Sequence, residues 1–301
     1  MMEICLVGTG GMMPLAGRWL SSLAVRSGGH GVLFDCGEGT QIALREANWG
    51  FRAIDAICIS HLHADHVGGL IGILFMLANS GREEAVDVYG PPGLVEIVKG
   101  QRLLAPILPF EVRCQELQPD ERFSVGDLQL TCTQGEHLVT CLAYRVDLPR
   151  RPRFDPERAR QLGLPVELWG KLQDGETVAW DGRAVKPEEV VGPPRRGLSL
   201  AYVTDTRPSD ALASLATEVD LVVCDVTFGA PDDAARAVET KHMTFAEAAE
   251  LARQAQAKRL WLTHFSPALP HPEEYLDSAW AHFPYTVLGH DGMRATLRFD
   301  E

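Results

Sequence analysis

The seven residues that follow the apolar run 56–59 concentrate the side chains that could do chemistry. They include three imidazoles and one carboxylate: His61, His63, Asp65 and His66. A strand that ends in a sharp bend can turn two of these groups to each side, so one short loop can serve two adjacent metal ions. A polar loop of hydrogen-bonded histidines is the alternative, but crowding partly charged rings gains nothing without a metal or acid–base role. The cluster therefore predicts a metal site.

Three more candidate ligands, His137, Asp205 and His264, each stand just beyond an apolar run. Ligands at the tips of several strands converge on one edge of a sheet, which is where open α/β folds place their sites. Either histidine alone would more often be structural. With the first cluster, however, the three complete a set of seven groups.

Seven groups hold two ions if one carboxylate bridges them. We assign three histidines to the first ion, one carboxylate and two histidines to the second, and one carboxylate to both: His61, His63 and His137; Asp65, His66 and His264; and Asp205. Imidazole and carboxylate ligands without thiolate favour Zn²⁺, with Mn²⁺, Fe²⁺ and Co²⁺ as alternatives. Such a pair would supply hydroxide at neutral pH and clamp a phosphoryl oxygen, which predicts metal-assisted hydrolysis. Asp65 is also a candidate to orient that hydroxide or accept its proton.

Two other polar residues belong to the prediction. His242 precedes Thr244 by two residues, at the mouth of a predicted helix, where it can face an anion and give a proton to a leaving alkoxide. Asp35 can accept a hydrogen bond from a ligand imidazole, although an aspartate that only forms a turn is an equal alternative.

Composition is that of a soluble globular protein. Of 301 residues, 46% are hydrophobic and 23% charged, and we expect a single domain over residues 1–301 with an insertion. The apolar stretch 67–78 is too short to cross a bilayer, and the N-terminus lacks a basic leader. Seven cysteines without a C-x-x-C pair suggest reduced core residues and a cytoplasmic protein. A net charge of −13 argues against nonspecific adhesion to nucleic acid over the whole surface.

Apolar runs alternate with helical patterns, which predicts a layered α/β architecture. The expected strands are 3–7, 21–25, 31–35, 56–60, 85–89, 128–133, 198–204, 221–225 and 259–263. The expected helices are 40–47, 68–78, 93–104, 209–218 and 245–256. Thr244 and Glu247 form a T-x-x-E capping box before the last helix.

The segment 149–196 differs in character from its surroundings. It holds seven prolines in 48 residues, and its ten basic and eight acidic residues give +2, against −15 for the rest of the chain. We interpret it as an inserted arm, which is either a solvated surface hairpin or a basic protrusion for a polyanion.

These motifs together resemble the ribonuclease Z family of the metallo-β-lactamase superfamily. H-x-H-x-D-H is residues 61–66, H-x-T begins at His242, and segments 6–10, 35–41, 135–137, 192–195, 205–207 and 263–267 also look like family motifs. The resemblance implies a four-layer αββα sandwich, two zinc ions, a homodimer and a proton-donor role for His242. It also implies that arm 149–196 is an exosite for precursor tRNA.

Four positions depart from the family pattern. Trp19 stands where asparagine is usual, and the stretch 164–168 lacks the Gly-Pro element expected in the arm. Residues 266–269 lack an arginine suited to phosphate. Asp225 replaces a glutamate that partners the H-x-T histidine.

Our leading hypothesis is therefore a dizinc phosphodiesterase, an endoribonuclease that processes the 3′ end of precursor tRNA. A metal-dependent hydrolase of a small phosphodiester or another ester is the alternative, and the altered arm favours it. A non-catalytic RNA-binding or metal-binding module is the third hypothesis. Lost ligands would mark such a module, and none is lost.

Overall fold

The computed structural model describes residues 1–229 and 231–300. The chain forms two compact units. The first comprises Met1–Leu148 and Ser199–Arg298, and the second comprises Pro149–Leu198 with the C-terminal residues from Phe299. The predicted arm falls within the second unit, although residues at its two ends belong to strands.

The described residues form strands whose bounds are β1 (Met2–Gly8), β2 (Ser22–Ser27), β3 (His30–Phe34), β4 (Ile54–Cys58), β5 (Val86–Gly90), β6 (Val112–Glu116), β7 (Arg122–Val125), β8 (Leu128–Gly135), β9 (Cys141–Arg150), β10 (Val178–Trp180), β11 (Arg183–Val185), β12 (Arg195–Val203), β13 (Leu221–Asp225), β14 (Leu260–Thr263), β15 (Thr286–Leu288) and β16 (Met293–Leu297). Two sheets of seven strands each have the orders β16-β1-β2-β3-β4-β5-β6 and β15-β14-β13-β12-β9-β8-β7. Strands β3 to β6 run parallel, and so do β12 to β15.

The helices of the described residues are α1 (Thr40–Glu46), α2 (Ala64–Val67), α3 (Leu70–Asn79), α4 (Leu94–Arg102), α5 (Pro156–Gln161), α6 (Trp169–Gln173), α7 (Asp210–Leu215), α8 (Ala234–Thr240), α9 (Phe245–Gln254) and α10 (Leu276–Trp280). None of these helices combines the length and the apolar character that a bilayer crossing requires.

Aromatic side chains join the two large sheets face to face. The Phe34 ring centroid lies 5.5 Å from that of Tyr144 and 5.6 Å from that of Tyr202, so β3 of one sheet packs on β9 and β12 of the other. The Tyr144 hydroxyl donates to the Ile59 carbonyl at 2.7 Å, which satisfies its polar tip inside the core.

Helices cover the outer face of each sheet. In α3 the buried positions Leu70, Ile73, Leu74 and Leu77 recur at helical spacing and join the core of the first sheet. Helix α9 buries alanines against the second sheet. The resulting order of helix, sheet, sheet and helix confirms the predicted αββα sandwich.

The predicted capping box at the start of α9 is confirmed. The Thr244 hydroxyl accepts from the Glu247 amide at 3.3 Å, and the Glu247 carboxylate accepts from the Thr244 amide at 2.9 Å. This cap fixes the direction in which the chain enters α9, two residues after His242.

Each predicted strand and helix corresponds to an observed one, but several elements were missed. Strands β6, β7 and β16 have one solvated face, so their sequences lack the apolar runs on which the prediction relied. Strand β9 begins with four buried residues, then alternates buried and partly exposed residues from Tyr144 to Leu148, and continues through Pro149. The strand predicted at 198–204 begins three residues earlier, at Arg195.

The second unit has a small hydrophobic core of its own. Helices α5 and α6, the hairpin β10–β11 and the segments that follow α5 and β11 bury six apolar side chains: Ala159, Leu164, Leu172, Val178, Val185 and Val190. The Phe154 and Trp169 rings lie 5.1 Å apart beside this core. The unit is therefore a folded element, not an extended loop.

Candidate metal centre and active site

The structure brings all seven predicted ligands together at one edge of the sandwich. Each follows or lies close to the end of a strand or sits on the short helix α2: His61 after β4, His63, Asp65 and His66 at or in α2, His137 after β8, Asp205 after β12 and His264 after β14. Because parallel strands end at a common edge, residues far apart in sequence meet there.

Their ring nitrogens and carboxylate oxygens form two adjacent groups. In the first, His61 Nε2 lies 2.9 Å from His63 Nδ1, which lies 3.3 Å from His137 Nε2. In the second, His66 Nε2 lies 3.2 Å from His264 Nε2, and each is 3.5 Å from Asp65 Oδ2.

Asp205 lies between the two groups and presents one oxygen to each. Its Oδ2 is 3.7 Å from His61 Nε2 and 4.0 Å from His137 Nε2. Its Oδ1 is 3.4 Å from His66 Nε2 and 3.2 Å from His264 Nε2. A carboxylate placed in this way can be shared by two cations.

The donor set fits metal ions in its spacing and its charge. Nitrogens about 2.0–2.1 Å from a tetrahedral zinc stand about 3.3 Å from one another, close to the separations above. Three carboxylates of the site are at most 3% exposed: those of Asp35, Asp205 and Asp225. Three carboxylates buried so close together require compensating positive charge. Burial, and then neighbouring imidazoles, hold the pKa of His61 well below its usual value, which favours the neutral ligating form.

The outward ring nitrogen of four of these histidines lies within hydrogen-bond distance of a fixed oxygen: His61 Nδ1 is 3.0 Å from Ser60 Oγ, His66 Nδ1 2.8 Å from Asp35 Oδ2, His137 Nδ1 3.2 Å from the Lys241 carbonyl and His264 Nδ1 3.0 Å from Thr227 Oγ1. Such contacts fix each ring's orientation and tautomer, so the inner nitrogen faces the centre.

Three residues of the site adopt left-handed backbone conformations. The φ angles are 53° for Asp35, 44° for Asp205 and 62° for His264, and each follows the end of a strand. This region is uncommon for residues other than glycine, and such outliers persist where surrounding contacts enforce them. The sharp turns bring the three side chains back over the edge of the sheets.

Asp35 is a hydrogen-bond centre beneath the site rather than a simple turn residue. Its Oδ1 accepts from the Ser60 amide at 2.7 Å, and its Oδ2 accepts from the Ser60 hydroxyl at 2.8 Å and the Tyr202 hydroxyl at 2.9 Å. Its Oδ2 also faces His66 Nδ1, as above. The residue thereby supports the loop that carries His61 to His66.

We expect Asp35→Asn to lower the affinity for the ion nearest His66 by about 10–100-fold, the usual cost of losing such a partner. The amide cannot accept all four hydrogen bonds, so the His66 ring loses its fixed orientation. Titration of metal-free protein with Zn²⁺ measures the change. Asp55→Asn, at a partly exposed carboxylate paired with Arg82, is the matched control and should leave zinc affinity unchanged. Wild-type affinity in Asp35→Asn would refute the assignment.

His242 lies beside the two groups with its Nδ1 held from behind. Nδ1 donates to Asp225 Oδ2 at 2.9 Å and lies 3.9 Å from Asp205 Oδ2. Burial disfavours the charged ring, but the Asp225 carboxylate outweighs it and raises the pKa of His242 above its usual value. Its Nε2 therefore remains available to donate a proton.

Thr227 is a residue of the site that was not predicted from the sequence. Its hydroxyl donates to Asp225 Oδ1 at 2.8 Å and lies 3.1 Å from His242 Nδ1 and 3.0 Å from His264 Nδ1. Thr227 follows Asp225 by two residues. A polar residue just beyond the end of a buried strand is the sequence feature that could have identified it. Arg207 belongs to the family-like segment 205–207, but no role could be assigned to it from the sequence. In the structure its guanidinium donates to the His242 carbonyl.

Comparisons with known proteins agree with this architecture. Residues 30–265 match the family model described as beta-lactamase superfamily domain. Ribonuclease Z of Lachnoclostridium phytofermentans is 45% identical, with 100% of this chain and 99% of that protein covered. Ribonuclease Z of Lachnospira eligens is 43% identical, with the same coverage. The crystal structure of the short form of human tRNase Z has a TM-score of 0.72 at 22% identity, covers 99% of this chain and 100% of that one, and shows the same fold.

The fold and the clustered histidines and aspartates indicate a site for divalent metal ions. The assignment of individual ligands, and of two ions, stays a prediction. The resemblance inferred from the motifs is confirmed: this chain belongs to the ribonuclease Z family of the metallo-β-lactamase superfamily.

Proposed function

We propose that this protein is a dizinc endoribonuclease that cuts precursor tRNA at its 3′ end and leaves a 3′-hydroxyl on the tRNA. The observation that carries the proposal is the pair of ligand groups on the two oxygens of Asp205, with His242 beside them. Relatives 38–45% identical over 99–100% of this chain are named ribonuclease Z, which supports RNA as the substrate.

Two ions bound at the groups would supply a hydroxide nucleophile at neutral pH and neutralise charge on the phosphate. The chain's own residues then have separate roles. His242 Nε2 donates a proton to the departing 3′-oxygen of the tRNA, because Asp225 holds Nδ1 and favours the imidazolium. Asp65 would orient the nucleophile or accept its proton, and the Met12 amide, which donates to its Oδ2 at 2.7 Å, holds the carboxylate for this role.

Hydrolysis of a small phosphodiester is the competing proposal, because residues 266–269 lack the family's arginine. Arg18 partly offsets this absence. Its guanidinium stacks over the Phe265 ring at 5.4 Å from the centroid and lies 3.4 Å from the Leu269 carbonyl. A cation is therefore present beside the stretch that lost one, which favours a polyanionic substrate.

The second unit is our proposed exosite for tRNA. Arg153 and Lys171 are exposed on this unit, and phosphate contacts by such cations dominate affinity for nucleic acid. We expect Arg153→Glu combined with Lys171→Glu to raise KM for precursor tRNA and to flatten its salt dependence by about 0.7–0.9 per lost phosphate contact, in logarithmic slope. Hydrolysis of bis(p-nitrophenyl) phosphate should not change.

The control is a double variant that changes the net charge by the same amount, but on the first unit. Lys99→Glu with Arg113→Glu replaces two exposed cations outside the site and should leave KM for precursor tRNA near the wild-type value. An equal rise of KM in both double variants would mean that overall charge, and not the second unit, sets the affinity.

A paired assay tests the substrate class. The metal-loaded protein is offered a trailer-bearing precursor tRNA and bis(p-nitrophenyl) phosphate, and kcat/KM is measured for both. We expect far greater efficiency on the tRNA. Hydrolysis of the small diester alone would favour the competing proposal. Homodimerisation and a cytoplasmic location stay predictions.

A further inference from the structure

The loop between Thr9 and Trp19 lies against the second ligand group, and its base is closed by backbone hydrogen bonds. The Thr9 and Gly10 amides both donate to the Trp19 carbonyl, at 3.0 and 2.7 Å. Two features noted in the sequence lie in or beside this loop: the segment 6–10, which looks like a family motif, and Trp19, which stands where asparagine is usual.

The loop contacts two of the predicted ligands directly. The Met12 amide donates to Asp65 Oδ2 at 2.7 Å, from a left-handed backbone with φ 68° that is uncommon for methionine. Gly11 packs on the His264 ring so closely that a Cβ there would stand 2.5 Å from Cε1. A displaced loop would therefore release Asp65 and unpack His264.

One carboxylate, that of Asp291, fixes the base of this loop. Its Oδ2 accepts from the Trp19 amide at 2.6 Å and its Oδ1 accepts from the Thr9 hydroxyl at 2.7 Å, across 282 positions of sequence. Asp291 belongs to the turn 289–292. The Gly289 amide of this turn donates to the Leu262 carbonyl of one large sheet at 2.8 Å.

The Gly292 amide of the same turn donates to the Leu6 carbonyl of the other large sheet, at 2.8 Å. The turn is thereby fixed to both sheets. Burial raises the pKa of the Asp291 carboxyl, in agreement with its enclosure at this point.

We propose that Asp291 is a positioning residue, which holds the loop Thr9–Trp19 against Asp65 and His264 and so sets the affinity of the second ion. The inference deepens the proposed function and rests on its two-ion centre. It makes no assumption about the RNA, since metal binding can be measured without substrate.

The test is a titration of metal-free protein with Zn²⁺ against a competing chelator, which gives two dissociation constants. In Asp291→Ala we expect one constant to rise by about 10–100-fold, the range for lost outer partners of a metal site, while the other stays unchanged. Asp291→Asn should restore much of the affinity, because its amide can accept from Trp19 and donate to the Thr9 hydroxyl.

Thr9→Val is the second variant and decides the matter if Asp291→Ala fails to fold. It removes a single hydrogen bond, so a smaller rise in the same constant is expected. Two wild-type constants in the folded variants would overturn the inference, as would equal weakening of both ions. Failure of the proposed function would give a different result: the unmodified protein would bind zinc but would not cleave precursor tRNA.

Discussion

His242→Ala is expected to slow the cleavage of precursor tRNA by about 10²–10⁴-fold, the usual contribution of a general acid. The departing 3′-oxygen of a ribose is a strong base and needs the proton that His242 donates. In bis(p-nitrophenyl) phosphate the leaving phenolate is stable without a proton, so its hydrolysis should fall far less. Parallel single-turnover measurements on both substrates give the comparison.

The dependence on the leaving group separates proton donation from a structural role. His271→Ala, at an exposed histidine outside the site, is the control and should leave both rates unchanged. Zinc content of His242→Ala should equal that of the wild type. An equal loss on the two substrates would show that His242 supports the metal centre and does not act as the acid.

Asp205→Asn should also have a large effect, with a loss of about 10³-fold or more on both substrates. The substitution keeps the shape of the side chain but removes the charge and one of the two acceptor oxygens that face the ligand groups. Several kcal/mol of charge stabilisation in the transition state depend on cations at this position, and each 1.36 kcal/mol is worth about tenfold in rate.

Metal analysis gives this second prediction an independent measurement. We expect Asp205→Asn to retain fewer zinc ions per chain after dialysis than the wild type. Asp210→Asn removes an exposed carboxylate from the first turn of α7 and should retain the full content. Full zinc content together with wild-type rates in Asp205→Asn would exclude a shared carboxylate.

Much of this centre could be predicted from the sequence, because four of its ligands lie in one short segment and the others lie just beyond the ends of strands. His61, His63, Asp65 and His66 are contiguous, and metal chemistry accounts for such crowding better than packing does. Asp205 and His264 follow strands whose last residues are buried and mostly apolar, so the positions of these strands in a sheet can be inferred from the sequence pattern. The structure places both in the predicted region.

The supporting contacts could not be derived in the same way. Thr227 and Asp291 act through hydrogen bonds to residues brought near only by tertiary packing, and neither has a sequence motif of its own. Strand β16 was also not predicted, because partly exposed and exposed residues alternate in it and it contains no apolar run. Patterns of hydrophobicity locate buried strands, whereas partners at a sheet edge depend on how separate strands assemble.

The most direct measurement is the position and chemistry of the cut. Precursor tRNA carrying a 3′ trailer is incubated with the zinc-loaded protein, and both ends of the products are identified. We predict one cut at the 3′ end of the tRNA, with a 3′-hydroxyl on the tRNA and a 5′-phosphate on the trailer. Stepwise removal of single nucleotides, or a 3′-phosphate on the tRNA, would contradict an endonuclease in which His242 protonates the departing 3′-oxygen.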